Sequence, residues 1–151
     1  MNMKDERQFV GYSKYRSRLV DGHVHTELCP HGSGDRTALM IEKAIELRIE
    51  KVCLTEHAPL PKAFAVEYGG DQKAYDTASL KLNQVDSYLE LGRQLQRAYG
   101  THIDISLGFE VDYIPGFETD IQEFLDRYGP LTDDNILSVH FMEGVDNAFY
   151  C

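Results

Sequence analysis

Five of the six histidines lie at or just after segments whose composition predicts β-strands, and one glutamate lies in the same kind of position. Imidazole and carboxylate groups are common ligands of divalent metal ions. When helices separate successive parallel strands, the strand ends meet at one rim of a sheet or barrel. We therefore expect a metal site there, and a metal-dependent hydrolase is the first interpretation. The candidate metal ligands are His23, His25, His31, His57, Glu110 and His140.

The spacing of the first two histidines favours a shared ligand role. His23 and His25 follow a short apolar run, and in an extended chain their rings point to the same side. Two half-exposed histidines at a turn would explain this pair equally well. His57 or His140 alone would more often be a hydrogen-bonded residue at the rim. Because all four predicted strands end in a potential ligand, the joint pattern favours metal binding.

Four nearby residues have other interpretations. Glu56 should face away from the ligand histidine beside it, which predicts a structural role or a contact behind a ligand. Asp112 follows Glu110 by two residues and so faces the same way. Three roles are open for it: a contact with substrate, a contact with a ligand histidine, or a solvated acid in a loop. Cys29 precedes a candidate histidine by two residues, but a Cys-x-His without a second pair is a weak zinc signal. His102 precedes its strand, which predicts a surface position at the opposite end.

Strand and helix signals alternate from residue 18 onward. The predicted strands are residues 18–22, 51–55, 103–110 and 135–141. Three helices are predicted. The first follows a turn and N-cap at residues 33–35, the second spans about residues 77–99, and the third starts near the capping-box pair Thr119 and Gln122. The irregular segment 58–77 is long enough to predict a functional loop. The order β-α-β-α-β-α-β predicts a parallel α/β sheet with right-handed crossovers.

Composition narrows the classes of protein. The 151 residues are 42% hydrophobic and 26% charged, as expected of one ordinary domain. The net charge of -10 argues against nucleic acid as a partner. There is no apolar run long enough for a membrane span, and the charged start lacks a signal-peptide core, so we expect a cytoplasmic protein. Three cysteines without regular spacing do not indicate a disulfide framework, and Cys53 is predicted to be a core residue.

Several motifs together resemble the polymerase-and-histidinol-phosphatase (PHP) superfamily, and more narrowly its PHP-type histidinol-phosphatases. They extend over residues 21–141, and Cys-Pro-His-Gly and Thr-Glu-His-Ala-Pro-Leu-Pro are the most specific. The motifs are Asp21-Gly22-His23-Val24-His25-Thr26, Cys29-Pro30-His31-Gly32, Leu54-Thr55-Glu56-His57-Ala58-Pro59-Leu60-Pro61, Gly108-Phe109-Glu110-Val111-Asp112-Tyr113 and Ser138-Val139-His140-Phe141.

The resemblance implies a distorted TIM-like barrel of seven parallel strands and helices, with up to three divalent ions (Zn, Fe or Mn) at its rim. By motif, His23 and His25 would hold one ion, and Glu110 would bridge it to a second ion held by His140. The resemblance also implies that His31 and His57 serve a third ion, and that Glu110 and His25 are central to catalysis.

The implied reaction is hydrolysis of a phosphate monoester, L-histidinol phosphate, to L-histidinol and phosphate. Divalent ions suit that chemistry because they activate water and neutralise phosphoryl charge. The alternatives are another PHP phosphoesterase, or an inactive fragment that only binds metal or a partner. Arg36, Lys62 and Lys73 are candidate phosphate contacts without specific support.

The resemblance also predicts that residues 1–151 are one PHP domain that is incomplete at its C-terminus, with about the first four βα units of the barrel. Three further strands, another ligand histidine and a late Asp-x-His pair would be missing. We therefore expect weak or partial metal occupancy in this chain. An open barrel would expose apolar edges, which predicts self-association between copies.

Overall fold

Four parallel strands form one curled sheet in the order β1-β2-β3-β4, with helices between them. The structure is a computed structural model that describes residues 19–67, 76–143 and 149–150. The strands are β1 (Val20–Val24), β2 (Lys51–His57), β3 (Asp104–Asp112) and β4 (Ile136–Ser138), followed by an antiparallel pair, β5 (Met142–Glu143) and β6 (Phe149–Tyr150). The α-helices are α1 (Thr37–Glu46), α2 (Lys62–Glu67), α3 (Val85–Tyr99) and α4 (Glu118–Tyr128), with 3-10 turns at Leu82–Gln84 and Gly129–Leu131.

The two central strands are buried on both faces, as parallel strands covered by helices usually are. On β3, Ile105, Leu107 and Phe109 alternate along one side and belong to the main hydrophobic core with Tyr88 of α3. The alternating positions between them carry small or acidic residues, including Glu110. The strand sequence therefore separates a helix-facing apolar side from a polar inner side.

The outer strands leave their edges open. Among the described residues, β1 pairs only with β2, and β4 pairs only with β3. Large apolar side chains lie exposed beside these edges: Val20 is 50% exposed, Leu137 67% and Val139 57%. The predicted α/β class and its parallel order are confirmed, and the sheet is the curled part-barrel that the resemblance implies.

Some predicted boundaries are wrong. The segment 58–77 is not wholly irregular, since α2 lies within it; residues 68–75 fall outside the described part. The long helix begins at Val85 rather than near 77, after a 3-10 turn. Helix α1 has Arg36 as its N-cap instead of a residue within 33–35. The described helices include none that is long and apolar enough to cross a membrane.

The predicted capping box of α4 is also wrong. The N-cap is Phe117, which makes no side-chain cap, and Gln122 donates instead to Asp126 one turn later. The helix-stabilising contact is therefore an i,i+4 pair on the helix surface. Glu118 and Asp120 lie in the first turn, where their negative charges stabilise the positive end of the helix dipole.

Candidate metal centre

The parallel register places the candidate ligands at one rim. His57, the last residue of β2, is the register partner of Glu110 on β3. Val24 of β1 pairs with Leu54, so His25 follows at the same end of the neighbouring strand. His140 comes two residues after β4 ends. The structure therefore brings together the strand-end residues that the sequence predicted.

Three ligand atoms from β1 and β3 form a compact triangle. The Nε2 atoms of His23 and His25 lie 3.1 Å apart, and each lies 3.3 Å from Oε2 of Glu110. Two ligands bound at about 2.0–2.1 Å to a tetrahedral zinc ion are separated by about 3.3 Å. The triangle therefore has the spacing of one face of a tetrahedral metal site.

Glu110 connects this triangle to the other histidines. Its Oε2 also lies 3.1 Å from Nδ1 of His57, and its Oε1 lies 3.3 Å from Nε2 of His140. Within the described part of the chain, Glu110 Oε2 and His57 Nδ1 are buried and neither makes a hydrogen bond of acceptable geometry. Buried polar atoms without partners are costly, and a cation between them would satisfy both. The donor set therefore fits a divalent metal ion.

Three of the rings have their second nitrogen occupied by an acceptor. His25 Nδ1 lies 3.0 Å from Glu56 Oε1, His140 Nδ1 lies 2.8 Å from Asp112 Oδ1, and His31 Nδ1 lies 2.7 Å from the carbonyl oxygen of Thr77. Carboxylates and carbonyls accept hydrogen bonds, so in each neutral ring the proton is held on Nδ1. The Nε2 lone pair is then free for a metal, as is usual for ligand histidines.

Asp112 is one of the residues whose role the sequence left open. It is buried, and its Oδ1 also accepts hydrogen bonds from the Ser138 hydroxyl (3.0 Å) and the His140 backbone N–H (3.3 Å). The contact with a ligand histidine is therefore the alternative that the structure supports. The sequence indicated this contact through spacing, because Asp112 follows Glu110 by two residues and so lies on the same strand face.

His31 joins the cluster from a loop. Gly32 N–H donates to the Cys29 carbonyl, which closes a four-residue turn with Pro30 at its second position. The turn places the His31 ring 5.0 Å from that of His57 and 6.4 Å from that of His25, measured between centroids. All six predicted ligands therefore lie in one cluster.

Electrostatics keeps the deepest ring neutral. Burial lowers the pKa of His57, and the charge of Glu110 offsets this only in part. His25 differs, because its hydrogen bond with Glu56 raises its pKa against the opposing effect of burial. A neutral His57 has a lone pair available for a metal at physiological pH.

Cys29 lies at the same site. It is buried, and its sulfur is within 4.8 Å of ligand atoms of His25 and His57. Burial raises the pKa of the Cys29 thiol, which favours the neutral form. His25, Cys29 and His57 therefore form one of the candidate metal-binding groups, and the turn at Cys29 also positions His31. His102 is exposed at the other end of β3, as predicted.

Two residues that the sequence analysis did not single out support the first pair. The Thr55 hydroxyl lies 3.1 Å from Nδ1 of His23, and Thr26 binds Glu56 through both its backbone and its hydroxyl. Thr55 precedes His57 by two residues and so shares its strand face, which is the signal that would have identified it. Thr26 lies beyond the strand, where no periodicity applies.

Comparison with known proteins gives consistent matches. The PHP domain profile matches residues 21–151. The histidinol-phosphatase of Bacillus subtilis (strain 168) is 40% identical over 131 residues, which make up 87% of this chain and 47% of that protein. A crystal structure of a protein assigned as the histidinol phosphatase HisK from Listeria monocytogenes matches with a TM-score of 0.81 and 42% identity, covering 86% of this chain and 47% of the other.

A third match concerns the fold alone. The crystal structure of a histidinol phosphate phosphatase from Lactococcus lactis, complexed with zinc, L-histidinol and phosphate, has a TM-score of 0.64 and 24% identity to this chain. It covers 83% of this chain and 41% of that one. The chain thus spans about half the length of the relatives it matches.

Proposed function

The chain belongs to the PHP domain family, and from this premise we propose that it is part of a metal-dependent phosphoric monoester hydrolase acting on L-histidinol phosphate. The observation that carries the proposal is the convergence of four histidines on Glu110, whose buried Oε2 makes no hydrogen bond within the described residues. The 40% identity to a histidinol-phosphatase supports the substrate.

We assign the ligands as follows. His23, His25 and Glu110 would hold one ion, and Glu110 and His140 would hold a second. His31 and His57 would contribute to a third position. The support is the division of contacts between the two oxygens of Glu110, since one faces the first pair and the other faces His140. Zinc, iron and manganese all suit these ligands.

Divalent ions at such a site would supply a nucleophile from water at neutral pH and neutralise charge on the phosphoryl group. The chain's own residues hold the ligand atoms in place before substrate arrives. Glu56, Asp112 and the Thr77 carbonyl each retain a proton on a histidine Nδ1. These hydrogen bonds therefore preorganise the predicted ligand rings.

We further propose that copies of the chain associate through their open edges. All four strands of the main sheet run parallel, so β4 of one copy can pair with β1 of a second in a head-to-tail contact. The exposed Val20, Leu137 and Val139 beside these edges support this. The small phosphorylated substrate and the cytoplasmic location remain predictions.

The test is phosphate release by the metal-loaded chain. Wild-type chain and a Glu110→Gln variant are loaded with zinc or manganese and assayed on L-histidinol phosphate, a nucleoside monophosphate and glycerol phosphate. We expect release from histidinol phosphate above the other esters, and loss of release in the variant. Cleavage of other esters only would overturn the substrate. Metal retained without any turnover would favour the alternative, in which this chain only binds metal.

A further inference from the structure

Glu56 is a fully buried carboxylate that lies beside the metal centre without facing it. It shares one face of β2 with Val52 and Leu54, which belong to the main core, whereas His57 lies on the opposite face, toward the rim. A charged group in such a position is costly unless hydrogen bonds satisfy it. The position therefore calls for specific donors.

Four donors surround this carboxylate. Oε2 accepts from the Thr26 backbone N–H at 2.9 Å and from the Thr26 hydroxyl at 2.7 Å. Oε1 accepts from His25 Nδ1 at 3.0 Å and from the His57 backbone N–H at 3.2 Å. Glu56 therefore joins the His23–His25 segment to the end of β2.

The backbone of Glu56 is itself fixed from α3. Its N–H donates to the Tyr88 hydroxyl at 3.3 Å. The single proton of that hydroxyl is shared between the carbonyl oxygens of Gly108, at 2.6 Å, and Leu54, at 2.9 Å. Tyr88 is fully buried. Glu56 is thus held at its carboxylate by the segment that follows β1, and at its backbone by Tyr88 of the helix layer.

We propose that Glu56 is a positioning residue that sets the tautomer and direction of His25, so that Nε2 and not Nδ1 is presented to the metal. Since Nδ1 donates to Glu56, the Nε2 lone pair is aimed at the triangle with His23 and Glu110. This inference rests on the metal site of the proposed function. Histidine ligands that lose such a partner typically lose about 10–100-fold in metal affinity.

The test compares three variants of the full chain. Glu56→Gln keeps the volume but has one acceptor oxygen instead of two. Thr26→Val removes one donor to the same carboxylate without touching the His25 contact. Glu90→Gln changes an exposed carboxylate on α3 that bonds to Gln94 and Arg97, and serves as the matched control.

The first readout is the tautomer of His25, measured by nitrogen-15 NMR of the imidazoles in the metal-free chain at mildly alkaline pH. We expect the Nδ1–H form in wild type, Thr26→Val and Glu90→Gln, and a mixture or the Nε2–H form in Glu56→Gln. This readout needs neither metal nor turnover, so its failure is distinguishable from failure of the proposed function. An Nε2–H tautomer in the wild type would overturn the proposal even if Glu56→Gln did not fold.

The second readout is zinc affinity, measured by competition with a chromophoric chelator. We expect Glu56→Gln to bind about 10–100-fold more weakly than wild type, and Glu90→Gln to bind as wild type does. A purely structural role for Glu56 would weaken Thr26→Val and Glu56→Gln together while the tautomer stayed unchanged. That outcome, or unchanged affinity in Glu56→Gln, would also contradict the proposal.

Discussion

Glu110 is the residue on which the site depends, because two imidazole nitrogens of the β1 segment and one each from His57 and His140 lie within 3.3 Å of its carboxylate. The sequence predicted this convergence, since these residues lie at or near the ends of predicted strands and strand ends share a rim. It did not predict which residue holds which ring. Those contacts depend on burial and side-chain direction, which the spacing of residues does not encode.

Asp112 allows the role of a supporting carboxylate to be separated from that of a ligand. Its Oδ1 accepts all three hydrogen bonds described for its side chain, so Asp112→Asn can retain them while losing charge. We expect Asp112→Ala to weaken zinc binding about tenfold or more and Asp112→Asn to weaken it less. The measurement is the same chelator competition, with Asp126→Ala on the exposed face of α4 as control.

Equal losses in Asp112→Ala and Asp112→Asn would show that the carboxylate charge itself binds the metal. In that case Asp112 would be a ligand rather than a residue that orients His140. No loss in Asp112→Ala would mean that the His140 ring needs no partner.

At the scale of elements, the sequence predicted β2 and β3 well, but β4 is Ile136–Ser138 rather than 135–141, and the predicted helix starts are wrong. The apolar runs of β2 and β3 fixed their centres, since both faces are buried. The start of α1 depends on a partner distant in sequence, which local patterns cannot show. Glu27 illustrates this, because it accepts hydrogen bonds from both the backbone N–H and the hydroxyl of Thr37, the first residue of α1.

Glu27 is expected to stabilise the start of α1 in a pH-dependent way. Burial would raise its pKa, but the hydrogen bonds from Thr37 outweigh burial and lower the pKa. A lowered pKa means that the stabilisation is complete above the unfolded-state pKa and disappears as the pH falls through the folded-state value. We expect Glu27→Gln to reduce the free energy of unfolding by about 1 kcal/mol at neutral pH, and by nothing in acid.

Urea unfolding at both pH values measures this difference. Glu46→Gln is a suitable control, because Glu46 pairs with Lys43 on the exposed surface of the same helix, and such pairs contribute little. A Glu27→Gln effect that was independent of pH would contradict the capping role.

Gly108 lies where β3 meets the segment before β4. A Cβ at this position would be 1.5 Å from the carbonyl oxygen of Asp134, a backbone atom. The close approach lets Asp133 and Asn135 side chains accept the N–H groups of Leu107 and Phe109. We expect Gly108→Ala to cost about 3 kcal/mol or more, because the backbone has to move.

Gly129→Ala is the matched control for this prediction, measured in the same thermal or urea unfolding experiment. Its Cβ would meet no atom within 4 Å, and its backbone is right-handed helical. The unfolded-state effect of replacing glycine is the same at both positions. A Gly108→Ala variant as stable as Gly129→Ala would contradict the close packing of β3 against residues 133–135.

For the whole molecule, the chain spans about half the length of its relatives, and its sheet has two open edges within the described residues. If copies pair through these edges, molar mass should rise with concentration. We expect Leu137→Lys with Val139→Lys to shift the chain toward monomer in sedimentation equilibrium, because charge on an edge opposes pairing. Leu82→Lys, an exposed leucine in the 3-10 turn before α3, is the control.

A wild-type chain that stays monomeric at all concentrations would contradict self-association. Equal mass in the edge variant and the wild type at high concentration would place the contact elsewhere on the surface. Neither result bears on the proposed metal centre, because the six predicted ligands lie together within one chain.

The metal centre itself is tested most directly by counting bound zinc per chain after equilibrium dialysis, in wild type and in Glu110→Gln. Glutamine keeps the size of the side chain but loses the charge that faces the histidine nitrogens. We expect the wild-type chain to bind zinc at partial occupancy, with fewer than three ions per chain, and Glu110→Gln to lose most of that zinc. A wild-type chain that binds no zinc, or a Glu110→Gln variant that binds as much as wild type, would contradict a metal centre organised around Glu110.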